Sequence, residues 1–86
     1  MKQISFDANG WDDYTHWQSH DKIILKRINL LIKEILRTPF SGTGKPEPLK
    51  GDFSGFWSRR INDEHRLVYA VQSDRVVVVQ CRYHYR

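Results

Sequence analysis

The sequence predicts an α+β fold: two N-terminal helices packed on a small, mostly antiparallel β-sheet, in the order β-α-α-β-β-β. Three observations predict it. Ile24, Ile28, Leu31 and Ile35 recur at helical spacing, with Lys22, Lys26, Lys33 and Arg37 on the other side. Residues 64–71 and 75–85 read as two strands around the polar turn Gln72-Ser73-Asp74, and the four valines of the second favour a pleated strand. Between the two halves lies a stretch with three prolines and three glycines, residues 39–52, which no regular element accommodates.

Taken in order, Gln3 to Phe6 is a short strand in which Ile4 and Phe6 alternate. Asp7 and Asn9 are helix-capping types, and a first helix follows to about Ser19. It has Asp12 and Asp13 in its first turn, and its stripe of Trp11, Tyr14 and Trp17 or Gln18 is expected to belong to the core. Asp21 caps the second helix, which stops before Thr38-Pro39 because a residue preceding proline avoids the α region. Ile23 and Leu30 fall off its main stripe, as singly exposed residues or as part of a contact with another chain. A third strand reads from Phe53 to Ile61, and Asn62-Asp63 turns into the next. Leu67, Tyr69 and Val71 alternate with Arg66, Val68 and Ala70; Cys81, Tyr83 and Tyr85 alternate with Gln80, Arg82 and His84. The core face is therefore expected to be odd-numbered in both strands. A register with Gln72 opposite Val76 keeps those faces together and sets Arg66 opposite Arg82, near His84; it needs an odd-length loop or a bulge.

Eighty-six residues make one small domain, 1–86, with enough core to fold alone. A hydrophobic content of 40% against 28% charged excludes a disordered tail. The net charge of +4 favours polyanionic partners, nucleic acid or an acidic protein. With Cys81 the one cysteine, no internal disulfide can form, and its place on the apolar face marks a small buried hydrophobe. Met1-Lys2-Gln3-Ile4 carries no apolar signal region, and the valine tract is far too short to cross a bilayer. A cytoplasmic protein without membrane contact is expected.

Several chemistries are set aside. His16 and His20 with Asp13 share a helix face, but no fourth zinc ligand stands at a fixed spacing, so no metal site is expected. Gly44-Lys45 fails as a phosphate-binding loop, because Pro39 stands where that motif needs glycine and Pro46 where it needs Ser or Thr. No nucleophile elbow supports a Ser-His-Asp arrangement. RNA cleavage makes a demand the chain can meet without metal or other cofactor. The 2′-hydroxyl loses a proton as it attacks the adjacent phosphate, the 5′-oxygen gains one as it leaves, and a cation covers the phosphorane. Glu47, braced by Pro46 and Pro48, is either a positioned base or an ordinary solvated carboxylate. His84 is either an acid suited to neutral pH or a histidine on a frayed terminus. Arg66 supplies the cation.

Four blocks carry a resemblance: Lys45-Pro46-Glu47-Pro48-Leu49-Lys50, Gly55 through Ile61, Glu64 through Tyr69, and Cys81 through Tyr85. With Trp11-Asp12-Asp13-Tyr14 and Arg37-Thr38-Pro39-Phe40, they resemble the Txe/YoeB family of RelE-like toxin–antitoxin toxins over essentially the whole chain. The resemblance implies a RelE-like fold, cleavage of mRNA in the ribosomal A site, translation arrest, and neutralisation by an antitoxin of the YefM/Phd type. It also implies that such toxins can be homodimers. Matched residue by residue, Glu47 resembles the general base, His84 the general acid, Arg66 the phosphorane stabiliser and Tyr85 a substrate-orienting group. Lys50 and Arg60 resemble phosphate contacts, with Arg59 a weaker one. Arg86 extends the chain past the family's usual terminal tyrosine. The alternative from a different class is a basic module that blocks the ribosome or another nucleic-acid machine without cutting. The Glu47, Arg66 and His84 set argues against it, since a blocker needs only cations.

Overall fold

The computed structural model of the protein describes residues 2–84. Strand β1 (Gln3–Phe6) leads into helix α1 (Ala8–His20), with Asp7 as the N-cap, its side chain accepting from Gly10 N. Asp21 ends α1 and caps α2 (Lys22–Arg37), its Oδ1 accepting from the amides of both Ile23 and Ile24. One residue thus sets the corner between the helices. α2 stops at Arg37, immediately before Thr38-Pro39, as the proline demands. A two-residue strand β2 (Glu47–Pro48), a 3-10 turn at Gly51–Phe53, β3 (Trp57–Arg60), β4 (Arg66–Val71) and β5 (Arg75–Gln80) follow.

The strands form one sheet in the order β1-β5-β4-β3-β2. β1 runs parallel to β5, and the other neighbours are antiparallel. The expected α+β architecture is what the chain adopts. Both helices cover one face, where Trp17, Ile28, Leu31 and Ile35 pack against Leu67, Tyr69, Val76, Val78 and Cys81. Of the expected α1 stripe, Trp17 is buried and Tyr14 packs partly buried against the core, whereas Trp11 is half exposed and stacks on Tyr14; Gly10 and Asp13 are the other buried residues of the helix. Asp12 and Asp13 lie beyond the first turn of α1, since the helix starts at Ala8.

Two expectations about the strands are corrected. Residues 53–56 do not extend β3: Phe53 closes the 3-10 turn, and Gly55 has φ +96°, which breaks the pleat before Trp57. The register of β4 with β5 is also different. Gln72 N donates to Arg75 O across a tight turn, so Val71 pairs with Val76 and Tyr69 with Val78. The core face of β5 is therefore even-numbered at first. A bulge then changes the parity: Tyr69 pairs with Val78, but Val68 pairs with Gln80, so Val79 is the extra residue. Beyond it the offset is the one expected, and Cys81 lies fully buried in the core. The pairing ends at Gln80, so Arg66 does not face Arg82 across a ladder; its amide donates instead to Tyr83 O.

Candidate active site

Directly paired strand residues share a face. Glu47 pairs with Ser58, Ser58 with Val68, and Val68 with Gln80. These four form a row across the sheet on the face away from the helices. Arg60 and Arg66 pair with each other two residues along, on that same face. Like charges at directly opposed positions repel, so this pairing of two arginines favours a bound anion.

Each candidate side chain has a local reason for its place. Glu47 is exposed on the edge strand, where the prolines on either side restrict its backbone and Pro48 lacks an N–H to donate. Arg66 is mostly buried, and its Nη1 donates to the carbonyls of Asn62 at 2.7 Å and His65 at 3.1 Å, with Asp63 at 3.5 Å. Those contacts fold the guanidinium over the β3–β4 turn. Arg60 is exposed; its amide donates to Gly44 O at 2.7 Å, tying β3 to the loop that leads into β2. Lys50 is exposed at the start of the 3-10 turn.

His84 is exposed on the segment after β5, and its carbonyl accepts from Gln80 Nε2. The same amide donates to Arg82 O at 3.0 Å. Gln80 belongs to the row that begins at Glu47, so the backbone of the tail is fastened to the face that carries the carboxylate and the arginine pair. Tyr85 lies outside the described residues, as does Arg86.

Arg59 does not belong with the exposed cations. It points to the helix side, is fully buried, and spends all five N–H donors inside the protein. Nε donates to Tyr69 Oη, Nη1 to Glu34 Oε1 at 2.9 Å and Thr43 O, and Nη2 to Thr38 O at 2.6 Å and Ser41 O at 2.8 Å. Its work is to tie the 38–43 loop to α2 and the sheet. The hydrogen bond from Thr43 N, with Arg59 adding to it, holds the Glu34 carboxyl below its ordinary pKa.

Sequence reasoning passed over the groups that fasten the tail. Asp13 Oδ2 accepts from Cys81 N at 3.1 Å, and Trp17 Nε1 donates to Cys81 O at 2.8 Å. His65 Nδ1 accepts from Tyr83 N at 2.7 Å. Burial holds the His65 pKa below the ordinary histidine value. A signal existed: His65 shares odd parity with Leu67 and Tyr69, and Asp13 falls between Gly10 and Trp17 on the buried side of α1. His16 and His20 stack ring on ring at 4.1 Å, and no group of three metal-ligating side chains occurs among the described residues. No helix among them is long and apolar enough to cross a membrane.

Two helices over one face of a five-stranded, mostly antiparallel sheet are the fold of the RelE-like toxins. The comparisons narrow this. The family described as "YoeB-like toxin of bacterial type II toxin-antitoxin system" matches residues 6–85, and the chain belongs to it. Toxin YoeB of Escherichia coli K12 is 61% identical over 85 residues, 99% of this chain and 100% of that protein. Among solved structures, a YoeB/ParE toxin from Agrobacterium tumefaciens superimposes with a TM-score of 0.92 at 50% identity, covering 96% of this chain and 99% of that one. A YoeB dimer and a YoeB–YefM complex from Staphylococcus aureus have TM-scores of 0.91 and 0.90 at 45% and 43% identity. The first alignment covers 98% of each chain, and the second 99% of each.

Proposed function

We propose that this toxin is an endoribonuclease that cuts mRNA in the ribosomal A site and so arrests translation. The observation that carries the reading is the common face of Glu47, Arg60, Arg66 and Gln80, with Gln80 holding the backbone of His84. Three strand spacings separate the backbones of Glu47 and Gln80, about 14 Å, a span that two side chains and one phosphodiester can bridge. Glu47 takes the proton from the 2′-hydroxyl, whose oxygen forms a bond to phosphorus. His84 gives a proton to the 5′-oxygen as the P–O5′ bond breaks. The products are a 2′,3′-cyclic phosphate and a 5′-hydroxyl end. Arg66 stabilises the charge of the phosphorane, its Nη1 contacts to the turn fixing where the fork sits. Arg60 and Lys50 hold flanking phosphates, and Tyr85 orients the substrate. Since the nucleophile comes from the RNA itself, general acid and base with a cation suffice, without a metal.

An antitoxin of the YefM type is the expected neutralising partner, since S. aureus YoeB–YefM is the same fold in complex. A second copy of the chain is another, as in the S. aureus dimer. Ile23 and Leu30, 83% and 53% exposed on α2, are the apolar residues such contacts would cover. The toxin works in the cytoplasm, where its ribosomal target is.

The test is to map mRNA ends on programmed ribosomes. Wild type should give new 5′-hydroxyl ends at the A-site codon. Glu47→Gln and His84→Gln should each lose cleavage by on the order of a hundredfold or more, while still binding the ribosome. Intact message on arrested ribosomes with wild type would replace cleavage by blocking.

A further inference from the structure

We infer that His65 is the positioning residue for the catalytic tail: its Nδ1, as an acceptor for the Tyr83 amide, sets where His84 presents its imidazole. This deepens the ribonuclease reading and rests on it for the catalytic half of the argument. His65 touches no substrate group in that mechanism.

The geometry is that of a built clamp. His65 is 5% exposed, and its ring meets the Trp17 indole edge-on at 4.8 Å. Packing therefore fixes the ring plane before the hydrogen bond forms. Tyr83 N lies 2.7 Å from Nδ1, while Tyr83 O accepts from Arg66 N at 2.9 Å. Both backbone polar groups of one tail residue are thus engaged by two adjacent residues, His65 before β4 and Arg66 at its start. Tyr83 itself has φ +63°, a left-handed conformation that a bulky side chain adopts only under constraint. The turn at Tyr83 comes one residue before His84. Whatever holds Tyr83 in it decides the direction in which the imidazole leaves the sheet. Gln80 completes the arrangement from the opposite side, through the carbonyls of Arg82 and His84.

An Nδ1 that accepts must be unprotonated, so the clamp needs the neutral ring with its proton on Nε2. Burial keeps the ring neutral, and Arg82 and Arg66 act in the same direction. Glu64, whose Oε1 is 3.6 Å from Nε2, and Asp13 on α1 act against it, and His16 is the remaining titratable neighbour on α1. The net direction favours an accepting Nδ1 at neutral pH.

The experiment has two arms. In the first, the His65 ring nitrogens are read by long-range 15N–1H NMR in the full-length toxin made tolerable to its host by Glu47→Gln. An Nε2-protonated tautomer and a slowly exchanging Tyr83 amide are expected; an Nδ1-protonated ring, or a Tyr83 amide that exchanges as fast as a free one, overturns the inference. In the second, His65→Phe keeps the ring packing and loses the acceptor, whereas His65→Asn keeps an acceptor near the Nδ1 position. The expected result is that His65→Phe lowers kcat for A-site cleavage by on the order of tenfold to a hundredfold at unchanged KM, and that His65→Asn recovers most of it. Equal turnover by a folded His65→Phe toxin overturns the positioning role. Wild type that leaves mRNA intact refutes the ribonuclease reading instead, and the NMR arm still decides the clamp. If His65→Phe does not fold, His65→Leu takes its place in the kinetic arm with the same two outcomes, and the tautomer read in the Glu47→Gln toxin still decides the hydrogen bond.

Discussion

Arg59 and Arg66 stand on opposite faces of adjacent strands, and their surroundings separate one charge into two uses. Arg59 is dry and saturated, with a carboxylate and three loop carbonyls consuming its two Nη groups. Arg59→Met should lower unfolding free energy by about 3 kcal/mol, read from urea denaturation, because the carboxylate and the carbonyls lose their donor together. Arg66 spends one nitrogen on the turn and shares its face with Arg60. Arg60→Ala should leave the fold intact and weaken binding to single-stranded RNA. The slope of log K against log salt should become shallower by about 0.7, the signature of one lost phosphate contact. A slope unchanged by the substitution would take Arg60 out of the phosphate path.

α1 and β5 approach each other closely at Gly10. A Cβ built at Gly10 would lie 2.2 Å from Val78 O and 2.9 Å from Val78 C, both backbone atoms that cannot swing aside. Gly10→Ala should therefore cost several kcal/mol, on the order of 3, in a denaturant titration despite the better helix propensity of alanine. Much at this scale was legible from the residues: both helices, the Asp21 corner and the proline stop follow from local chemistry that tertiary contacts do not override. The strands were less so. Four successive valines suit either face of a sheet, so nothing in their side chains marks Val79 as the extra residue or fixes the parity of β5. The pairing of Glu47–Pro48 was hidden by its prolines, which argue against a strand everywhere except at an edge. Glu47, Arg66 and His84 stood out by residue type and by resemblance. The burial of Arg59 did not, because its partners lie on α2 and in the 38–43 loop, distant in the sequence.

Across the whole molecule, titration should be felt in stability. Burial holds both His16 and His65 below the ordinary histidine pKa of 6.5. The unfolded chain then binds more protons than the folded one, so stability falls as pH drops through about 6.5 and levels off below the folded values. Calorimetric Tm measured down this range should decline, and His65→Asn should remove part of the decline; a Tm independent of pH there would show that neither ring resists its proton. At more acid pH the Glu34 carboxyl, lowered by the Thr43 amide, should take away further stability. The sheet order has a consequence for how the toxin comes into being. β5 lies between β1 and β4 and receives the Asp7 amide on Val78 O, so elements made at the start of translation wait for a partner made near its end. A nascent chain that stops short of residue 75 has β1 and the β2-β3-β4 unit without the strand that joins them. The strand that completes the sheet is also the one that leads into the fastened tail, so the core and the candidate site come together in a single late step.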